Sequence, residues 1–202
     1  MRKILLVFCC VALSAYSYSQ SKEVKEKLEE YKTNGLYEID SENIVVSKVI
    51  EYLPDKKDDI YLKVKSYFAR AYKDSQSVIQ TDDRASGLVI GRGFYKGVFS
   101  WHQFIVPISY NAWHVLRVDI KDGRVRVICN VSEWDIDTGV GKNYNHSTFP
   151  ILGYAPFTDK RINDKGKQAQ AFLNLVDVMH FSINAIEEYL KMGSVGENND
   201  DW

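Results

Sequence analysis

Hydrophobic and polar positions follow two different periods along the chain. Runs rich in β-branched residues, which favour strands, lie at Leu36–Ile39, Ile44–Leu53, Leu88–Phe94 and Val98–Tyr110. The last run is predicted to bend at Pro107. Apolar residues three or four positions apart predict two amphipathic helices. Their apolar stripes are Ile60, Val64, Tyr67, Phe68 and Ala71 in the first helix, and Ala169, Phe172, Leu173, Val176, Met179, Ile183, Ile186 and Leu190 in the second.

The clearest element is a β-hairpin around Lys121-Asp122-Gly123-Arg124. An Asp-Gly pair between two β-branched runs predicts a two-residue turn, because both central positions need positive φ. A slip of one residue would bury Arg117 and Arg126, so the register is well determined. The predicted cross-strand pairs are Ile120 with Val125, Asp119 with Arg126, and Val118 with Val127.

This register gives the hairpin two chemically different faces. One face is apolar and predicts the core; its residues are His114, Leu116, Val118, Ile120, Val125, Val127, Cys129 and Val131. The other face carries the candidate binding residues Trp113, Arg117, Arg126 and Trp134. Tryptophan and arginine dominate binding hot spots, and this set could stack a sugar or hold an anionic group. The alternative is a solvated face on which Asp119 pairs with Arg126 and a loop covers the tryptophans.

The remaining segments have weaker periods. Residues 20–35 are charged and include good helix formers, so they predict a surface helix and linker. Asp135–Lys165 is rich in turn residues and is predicted to be an irregular covering loop, and 193–202 a disordered tail. Residues 36–192 then form one two-layer α+β domain, in which a curved antiparallel β-sheet carries two main helices on one face. The other face of the sheet stays open.

The N-terminus predicts export. Two basic residues precede an apolar run, Ile4–Ala15, that is shorter than the roughly 20 residues needed to span a bilayer. Small residues at Ser17 and Ser19 favour cleavage before Gln20, so residues 1–19 are predicted to be a signal peptide. A buried N-terminal helix is the alternative.

Composition restricts the compartment and the partners further. Cys9 follows Phe8, where a lipoprotein signal needs a small residue, so we predict no lipid anchor. Cys129 is the only cysteine after the signal, so no intrachain disulfide can form. With 26 Lys+Arg, 27 Asp+Glu and a net charge of −1, the chain has no electrostatic footprint for nucleic acid. No later apolar run predicts a membrane span, and we expect a soluble periplasmic or secreted protein.

Three motifs resemble a known family. They are the glycine-broken strand Gly87–Gly93, the hairpin Val118–Arg126 and the aromatic-proline segment Gly153–Phe157. Together with the order strand, helix, sheet, helix, they make residues 40–190 similar to domain-of-unknown-function family 4468, exported proteins of Bacteroidetes with a TBP-like fold. The resemblance implies a curved antiparallel sheet with two helices on its convex side. It implies no activity and no catalytic residues, and the name of a fold does not imply DNA binding.

No motif identifies a catalytic or metal centre. The four histidines, His102, His114, His146 and His180, lack the spacing of zinc sites, and no cysteine pair accompanies them. We therefore predict no metal and no cofactor. His114 and Cys129 fall on the core face, where burial makes a thiol inert.

These observations favour an exported, non-catalytic binding module. It would bind a protein or small-molecule ligand through the open sheet face or the covering loop. The competing hypothesis is an enzyme, such as a hydrolase, with a site in the 135–165 loop built from Asp135, Asp137 and His146; converging titratable groups would favour it. A third hypothesis is an envelope component that self-associates through its sheet edges.

Overall fold

The computed structural model describes residues 22–51, 53–72, 79–153 and 165–192. The predicted signal peptide 1–19, the tail 193–202 and most of the second half of the 135–165 loop lie outside the described residues. The strands are β1 (Glu38–Asp40), β2 (Asn43–Ile50), β3 (Ile79–Asp83), β4 (Leu88–Gln103), β5 (Val106–Lys121), β6 (Arg124–Val131), β7 (Glu133–Thr138) and β8 (Asn145–Pro150). The helices are α1 (22–33), α2 (Lys57–Ala71) and α3 (Lys165–Lys191).

Within the described ranges, all eight strands form one antiparallel sheet. Its main order is β1-β2-β6-β5-β4-β3. The long strand β5 pairs with β4 along one edge, and along its other edge it pairs first with β7 and then with β6. β8 extends the sheet beyond β7. The predicted α+β class with an antiparallel sheet is confirmed.

Helices α2 and α3 pack on the same face of the sheet. Phe68 of α2 lies against Gly91 of β4, and the Tyr95 hydroxyl of β4 contacts Ser182 Oγ of α3 at 2.8 Å. Gly91 and Tyr95 project to this side, as does Leu116 of β5, the partner of Gly91. All eight residues of the predicted α3 stripe are buried. The core therefore lies between the helical layer and the sheet face predicted to be apolar.

Gly91 and Gly93 also make room for packing against the helical layer. The sequence favours sheet curvature at these glycines. Both pair regularly with β5, whereas the pairing of β3 with β4 is irregular beside Gly91, between Ile79 and Thr81. A Cβ at Gly91 would lie 2.4 Å from the Phe68 ring, and one at Gly93 would lie 2.4 Å from the Tyr72 ring. The glycines thus make room for aromatic side chains at the end of α2. The register of β4 shifts later, between Tyr95 and Phe99.

The predicted bend at Pro107 is wrong. β4 runs on to Gln103, the chain reverses at Phe104-Ile105, and Pro107 lies in the second pair of the new hairpin, opposite His102. The turn was missed because neither central residue is a turn former. Phe104 nevertheless adopts a φ of +57°, a value that bulky side chains rarely adopt.

The region after Asp135 is also more regular than predicted. β7 and β8 form a hairpin across the turn at 139–144, and they lengthen the sheet. Residues 154–164 of this predicted loop lie outside the described part of the chain. Among the described residues, no helix combines the length and the apolarity needed to cross a membrane.

Candidate binding face and an Asp–His cluster

The face of β4, β5 and β6 that points away from the helices is called the outer face here. Its side chains are Leu88, Ile90, Arg92 and Phe94 of β4, Trp113, Val115, Arg117, Asp119 and Lys121 of β5, and Arg124, Arg126, Ile128 and Asn130 of β6. The predicted register of the β5–β6 hairpin is confirmed, including the pair of Asp119 with Arg126. Three of the four predicted binding residues lie on this face.

Asp119 holds two arginines in one ion triplet. Arg117 is two residues away on the same strand, and it donates from Nε and Nη2 to Asp119 Oδ1 at 3.0 and 2.9 Å. Arg126, directly opposite on β6, donates from Nε and Nη2 to Asp119 Oδ2 at 3.0 and 2.9 Å. The cross-strand pair of the solvated-face alternative is therefore present. The triplet still carries a net positive charge, because two guanidinium groups share one carboxylate.

Within the triplet, the carboxylate and the guanidinium groups stabilise one another's charged forms. Partial burial acts to raise the pKa of the Asp119 carboxyl, but the hydrogen bonds and charges of Arg117 and Arg126 outweigh burial, and this pKa lies below its ordinary value. The same hydrogen bonds raise the pKa of Arg117. Asp119 and Arg117 therefore stay ionised at neutral pH. The side chains of Arg117 and Arg126 remain partly exposed to solvent.

An aromatic platform lies farther along the outer face, four residues before Arg117 on β5. Phe94 is the cross-strand partner of Trp113, with ring centroids 4.7 Å apart, and both residues are 39 % exposed. The Arg92 guanidinium lies 4.4 Å from the centroid of the Trp113 ring, within cation–π distance. Sequence reasoning missed Arg92 and Phe94. Their alternation with Gly91 and Gly93 could have revealed them, because alternate strand residues share a face.

Trp134 does not belong to the outer face. It is 2 % exposed and packs edge-to-face on Tyr110, with centroids 5.4 Å apart. The prediction extended the alternation of β6 past Asn130. In the structure Val115 pairs with Asn130 but Ala112 pairs with Trp134, so one extra residue intervenes between β6 and β7. That extra residue moves Trp134 to the buried face, as a β-bulge does.

A shallow depression of about 260 Å³ lies at the turn end of the outer face. Its lining combines cationic groups with apolar surface; the residues are Val49, Asp119, Lys121, Arg124, Val125 and Arg126. Val49 reaches it from β2, where it pairs with Arg126. An anionic group in this depression would meet the guanidinium of Arg126 beside an aliphatic wall.

Asp135, Asp137 and His146 converge, although the sequence placed them in a loop. His146 Nδ1 lies 3.2 Å from Asp135 Oδ1 and 3.2 Å from Asp137 Oδ1. One ligand atom from each of the three residues lies within 4.8 Å of the others, an arrangement that could hold a metal ion. Strand pairing explains the convergence, because Asp137 of β7 is opposite His146 of β8 and Asp135 is two residues away on the same face.

Two neighbours order this Asp–His cluster. The buried Asn111 donates from Nδ2 to Asp137 Oδ2 and to the backbone oxygen of Asp135, both at 3.1 Å, and the Tyr144 hydroxyl donates to Asp137 Oδ1. The hydrogen bond from Tyr144 is the largest effect on the pKa of Asp137. Together with the hydrogen bonds to His146 and Asn111 it outweighs burial, so this pKa lies below its ordinary value. Asp137 is therefore a carboxylate over most of the pH range.

Ser109 does not complete a serine triad with the Asp–His cluster. Ser109 is the β5 partner of Asp137, and His146 is its β8 partner on the other side. Two strand spacings then separate Ser109 from His146, about 10 Å in all, which is too far for a base to take a proton from the hydroxyl. Water activated by a bound metal ion or by a carboxylate is the hydrolytic chemistry that this cluster supports.

His114 and Cys129 are buried, as predicted. His114 Nε2 lies 2.8 Å from the Tyr72 hydroxyl, and its ring stacks on Tyr95 with centroids 3.8 Å apart. Burial lowers the pKa of His114 to about 4 and raises the pKa of the Cys129 thiol to about 12. At neutral pH the imidazole is uncharged and the thiol is protonated, so this pair supplies no nucleophile.

The described residues define a class, the α+β domains with a single antiparallel sheet, and in these residues both main helices cover the same side of the sheet. Residues 47–132 match the family model described as a domain of unknown function (DUF4468) with TBP-like fold. This match confirms the resemblance predicted from the sequence. The matched segment contains α2, the β5–β6 hairpin and most of the outer face.

Two solved structures resemble the chain. One is a TBP-like protein from Parabacteroides distasonis ATCC 8503, 11 % identical, with a TM-score of 0.53, over 76 % of this chain and 97 % of that one. The other is a DUF4468 family protein from Bacteroides ovatus ATCC 8483, 14 % identical, with a TM-score of 0.48, over 76 % of this chain and 91 % of that one. At this identity the first similarity establishes the TBP-like fold alone. No curated protein matches the chain.

Proposed function

We propose that the chain is an exported, non-catalytic binding module that holds an anionic partner on its outer face. The observation that carries the proposal is the charge of this face. On β4, β5 and β6 it has one carboxylate, Asp119, and five basic side chains, Arg92, Arg117, Lys121, Arg124 and Arg126. The whole chain is nearly neutral, so this concentration of cations is local.

The aromatic platform adds a second element of recognition. Trp113 and Phe94 expose ring surface beside the charged groups, and Arg92 is already positioned over the Trp113 ring. A ligand that joins an anionic group to a planar or apolar ring would contact both features. Arginine binds carboxylate, sulfate or phosphate in bidentate geometry, so an acidic peptide or an acidic polysaccharide fits the face best.

The test is a titration of the protein that starts at Gln20 with polyglutamate and with polygalacturonate. Binding is monitored by tryptophan fluorescence and by NMR chemical shifts of the backbone amides. We expect shifts on β4, β5 and β6, and binding that weakens as salt rises, because exposed charges are screened. Trp113→Ala and Arg117→Ala should each weaken binding about tenfold, as loss of a hot-spot side chain does.

Arg70→Ala is the matched control. Arg70 also lies over an aromatic ring, 5.8 Å from the Tyr189 centroid, but it belongs to the helical layer. This variant should bind like the wild type. If Trp113→Ala and Arg117→Ala left all binding unchanged, or if both anions shifted only helical residues, the outer face would not be the binding site.

The convergence of Asp135, Asp137 and His146 favours a second candidate function, metal-assisted hydrolysis. Two carboxylate oxygens and one imidazole nitrogen are ligands that zinc or manganese accepts, and three protein ligands leave a coordination position for water. Titration calorimetry with Zn²⁺ and Mn²⁺ tests this function. We expect the wild type to bind one metal ion per chain and His146→Ala to lose this binding. An assay with a phosphate ester or an acyl ester then tests whether the metal-loaded wild type hydrolyses it. Absence of metal binding would remove the candidate.

A further inference from the structure

The turn between β4 and β5 exposes large apolar side chains. Phe104 is 96 % exposed and Ile105 is 91 % exposed. Val106, the next residue, and Val140, at the start of the β7–β8 turn, are also exposed. We call Phe104, Ile105, Val106 and Val140 the apolar tip. The described part of the chain leaves these apolar groups exposed, and such a cluster marks a contact surface.

Strand pairing brings the two turns of the apolar tip together. Ile108 of β5 pairs with Thr138 of β7, and the Gly139 amide donates to the Pro107 oxygen at 2.9 Å. Val140 therefore lies beside the end of β5, level with Val106. The apolar groups form one protruding end of the sheet. A protruding apolar end can enter a lipid bilayer, which needs no complementary pocket.

The backbone at this turn is adapted to exposure of an aromatic ring. A two-residue hairpin turn with positive φ at its first central residue normally has glycine there. Phe104 has a φ of +57°, and its side chain makes no compensating contact with the fold, given its exposure. An unfavourable residue that contributes nothing to packing is expected where it has another use.

The chemistry around the apolar tip suits a lipid surface. Residues 97–109 and 138–150 contain no aspartate or glutamate. Lys142 lies in the β7–β8 turn, and Lys167 at the start of α3 lies 5.9 Å from the ring centroid of Trp101, behind the tip. Apolar residues at the end, with aromatic residues and lysines behind them, are the pattern of proteins that dip into the interface of an anionic bilayer.

We infer that the apolar tip inserts Phe104 and Ile105 into the interfacial region of a lipid bilayer. Val106 and Val140 would lie just behind them, on the headgroup side, while Trp101, Tyr144 and the lysines lie near the headgroups. The chain would then bind a membrane surface peripherally, at one end of the sheet. This inference is independent of the anionic partner proposed for the outer face, because the two surfaces share no residue.

The experiment measures partition of the protein into vesicles of phosphatidylethanolamine and phosphatidylglycerol. The protein starts at Gln20, so that the apolar run Ile4–Ala15 does not contribute; the described fold begins at residue 22 and is retained. We expect the wild type to bind, and Phe104→Ser/Ile105→Ser to lose binding about tenfold or more, since burial of each side chain accounts for roughly that factor. Lys142→Ala should weaken binding only when phosphatidylglycerol is present.

Two further variants make the result specific. Phe181→Ser removes an exposed phenylalanine, 72 % accessible on α3, and should leave partition unchanged. Phe104→Trp should bind, and its emission should shift to the blue and be quenched by brominated lipid. The inference is overturned if the wild type binds no vesicles, if the double serine variant binds like the wild type, or if Phe181→Ser abolishes binding equally.

Discussion

Two hairpin turns lie at opposite ends of β5, and they differ in how well their residues suit the backbone conformation of the turn. The β5–β6 turn has Asp122-Gly123, with Gly123 at a φ of +67°. Asp122 has no positive φ, so the expectation that both central residues of this turn need one is wrong, although the predicted register is right. The β4–β5 turn has Phe104-Ile105, with the phenylalanine at a φ of +57°. The first turn follows the conformational preference of its residues, and the second contradicts it.

Their surroundings differ in the same sense. The Asp122 carboxylate accepts from the Lys57 amide at 2.9 Å at the start of α2, and the Gly123 oxygen accepts from the Leu53 amide at 3.0 Å. Phe104 and Ile105 instead extend into solvent. The first turn therefore joins the sheet to the helical layer, whereas the second contributes nothing to packing. A residue that is costly for the backbone and absent from the core points to a role in contact rather than in folding.

The largest expected effect is at the β5–β6 turn. Gly123→Ala should lower the free energy of unfolding by about 1 kcal/mol or more, because a Cβ is disfavoured at this φ and would also touch the Leu53 oxygen. Urea denaturation measures the change. Gly166→Ala, in α3 with open space around the new methyl group, is the control and should be neutral or slightly stabilising. Equal losses in both variants would mean that the turn has no special requirement.

A smaller effect of opposite sign is expected at the other turn. Phe104→Gly should raise the free energy of unfolding by about 0.5–1 kcal/mol, since relief of the left-handed conformation exceeds the added entropy of the unfolded chain. Ile105→Gly is the matched control, because Ile105 has no positive φ and the substitution should only destabilise. If Phe104→Gly were the less stable of the two, the phenyl ring would be supporting the fold.

The smallest effect concerns acid. Because Arg117 and Arg126 lower the pKa of Asp119 in the folded chain, its contribution to stability is present above the unfolded value, about 3.9, and is lost as pH falls through the lower folded value. The loss should be under about 1 kcal/mol, because the triplet is partly exposed. The two hairpin ends can be compared by hydrogen exchange below pH 4. Amides of β5 and β6 near their turn should lose protection before amides at the turn end of the β4–β5 hairpin, where the described residues form no ion pair. Asp119→Asn should abolish this pH dependence, because asparagine does not titrate.

The sequence predicts the parts of this fold that local chemistry determines. Asp122-Gly123 defined a register that the structure reproduces pair by pair, and the helical period of α3 identified its buried residues. The turn at Phe104-Ile105 was invisible because neither residue carries a turn signal. Which face each β7 side chain occupies could not be predicted for a related reason. One extra residue after β6 reverses the alternation of buried and exposed side chains, and nothing in the sequence marks that residue.

The candidate sites divide in the same way. Trp113, Arg117 and Arg126 were found because they share a face with a well-defined register. Trp134 was misplaced because the same alternation was extended across the bulge. The convergence of Asp135 with His146 could not be predicted from spacing, since it depends on the pairing of β7 with β8.

The central claim is that the Phe104-Ile105 turn is retained for contact with a membrane and not for folding. The most direct measurement determines both properties on one variant, Phe104→Ser/Ile105→Ser, by urea denaturation and by partition into phosphatidylglycerol-containing vesicles. The account predicts a free energy of unfolding within about 0.5 kcal/mol of the wild type, as for an exposed substitution, and a loss of vesicle binding. A clear loss of stability together with unchanged binding would contradict it.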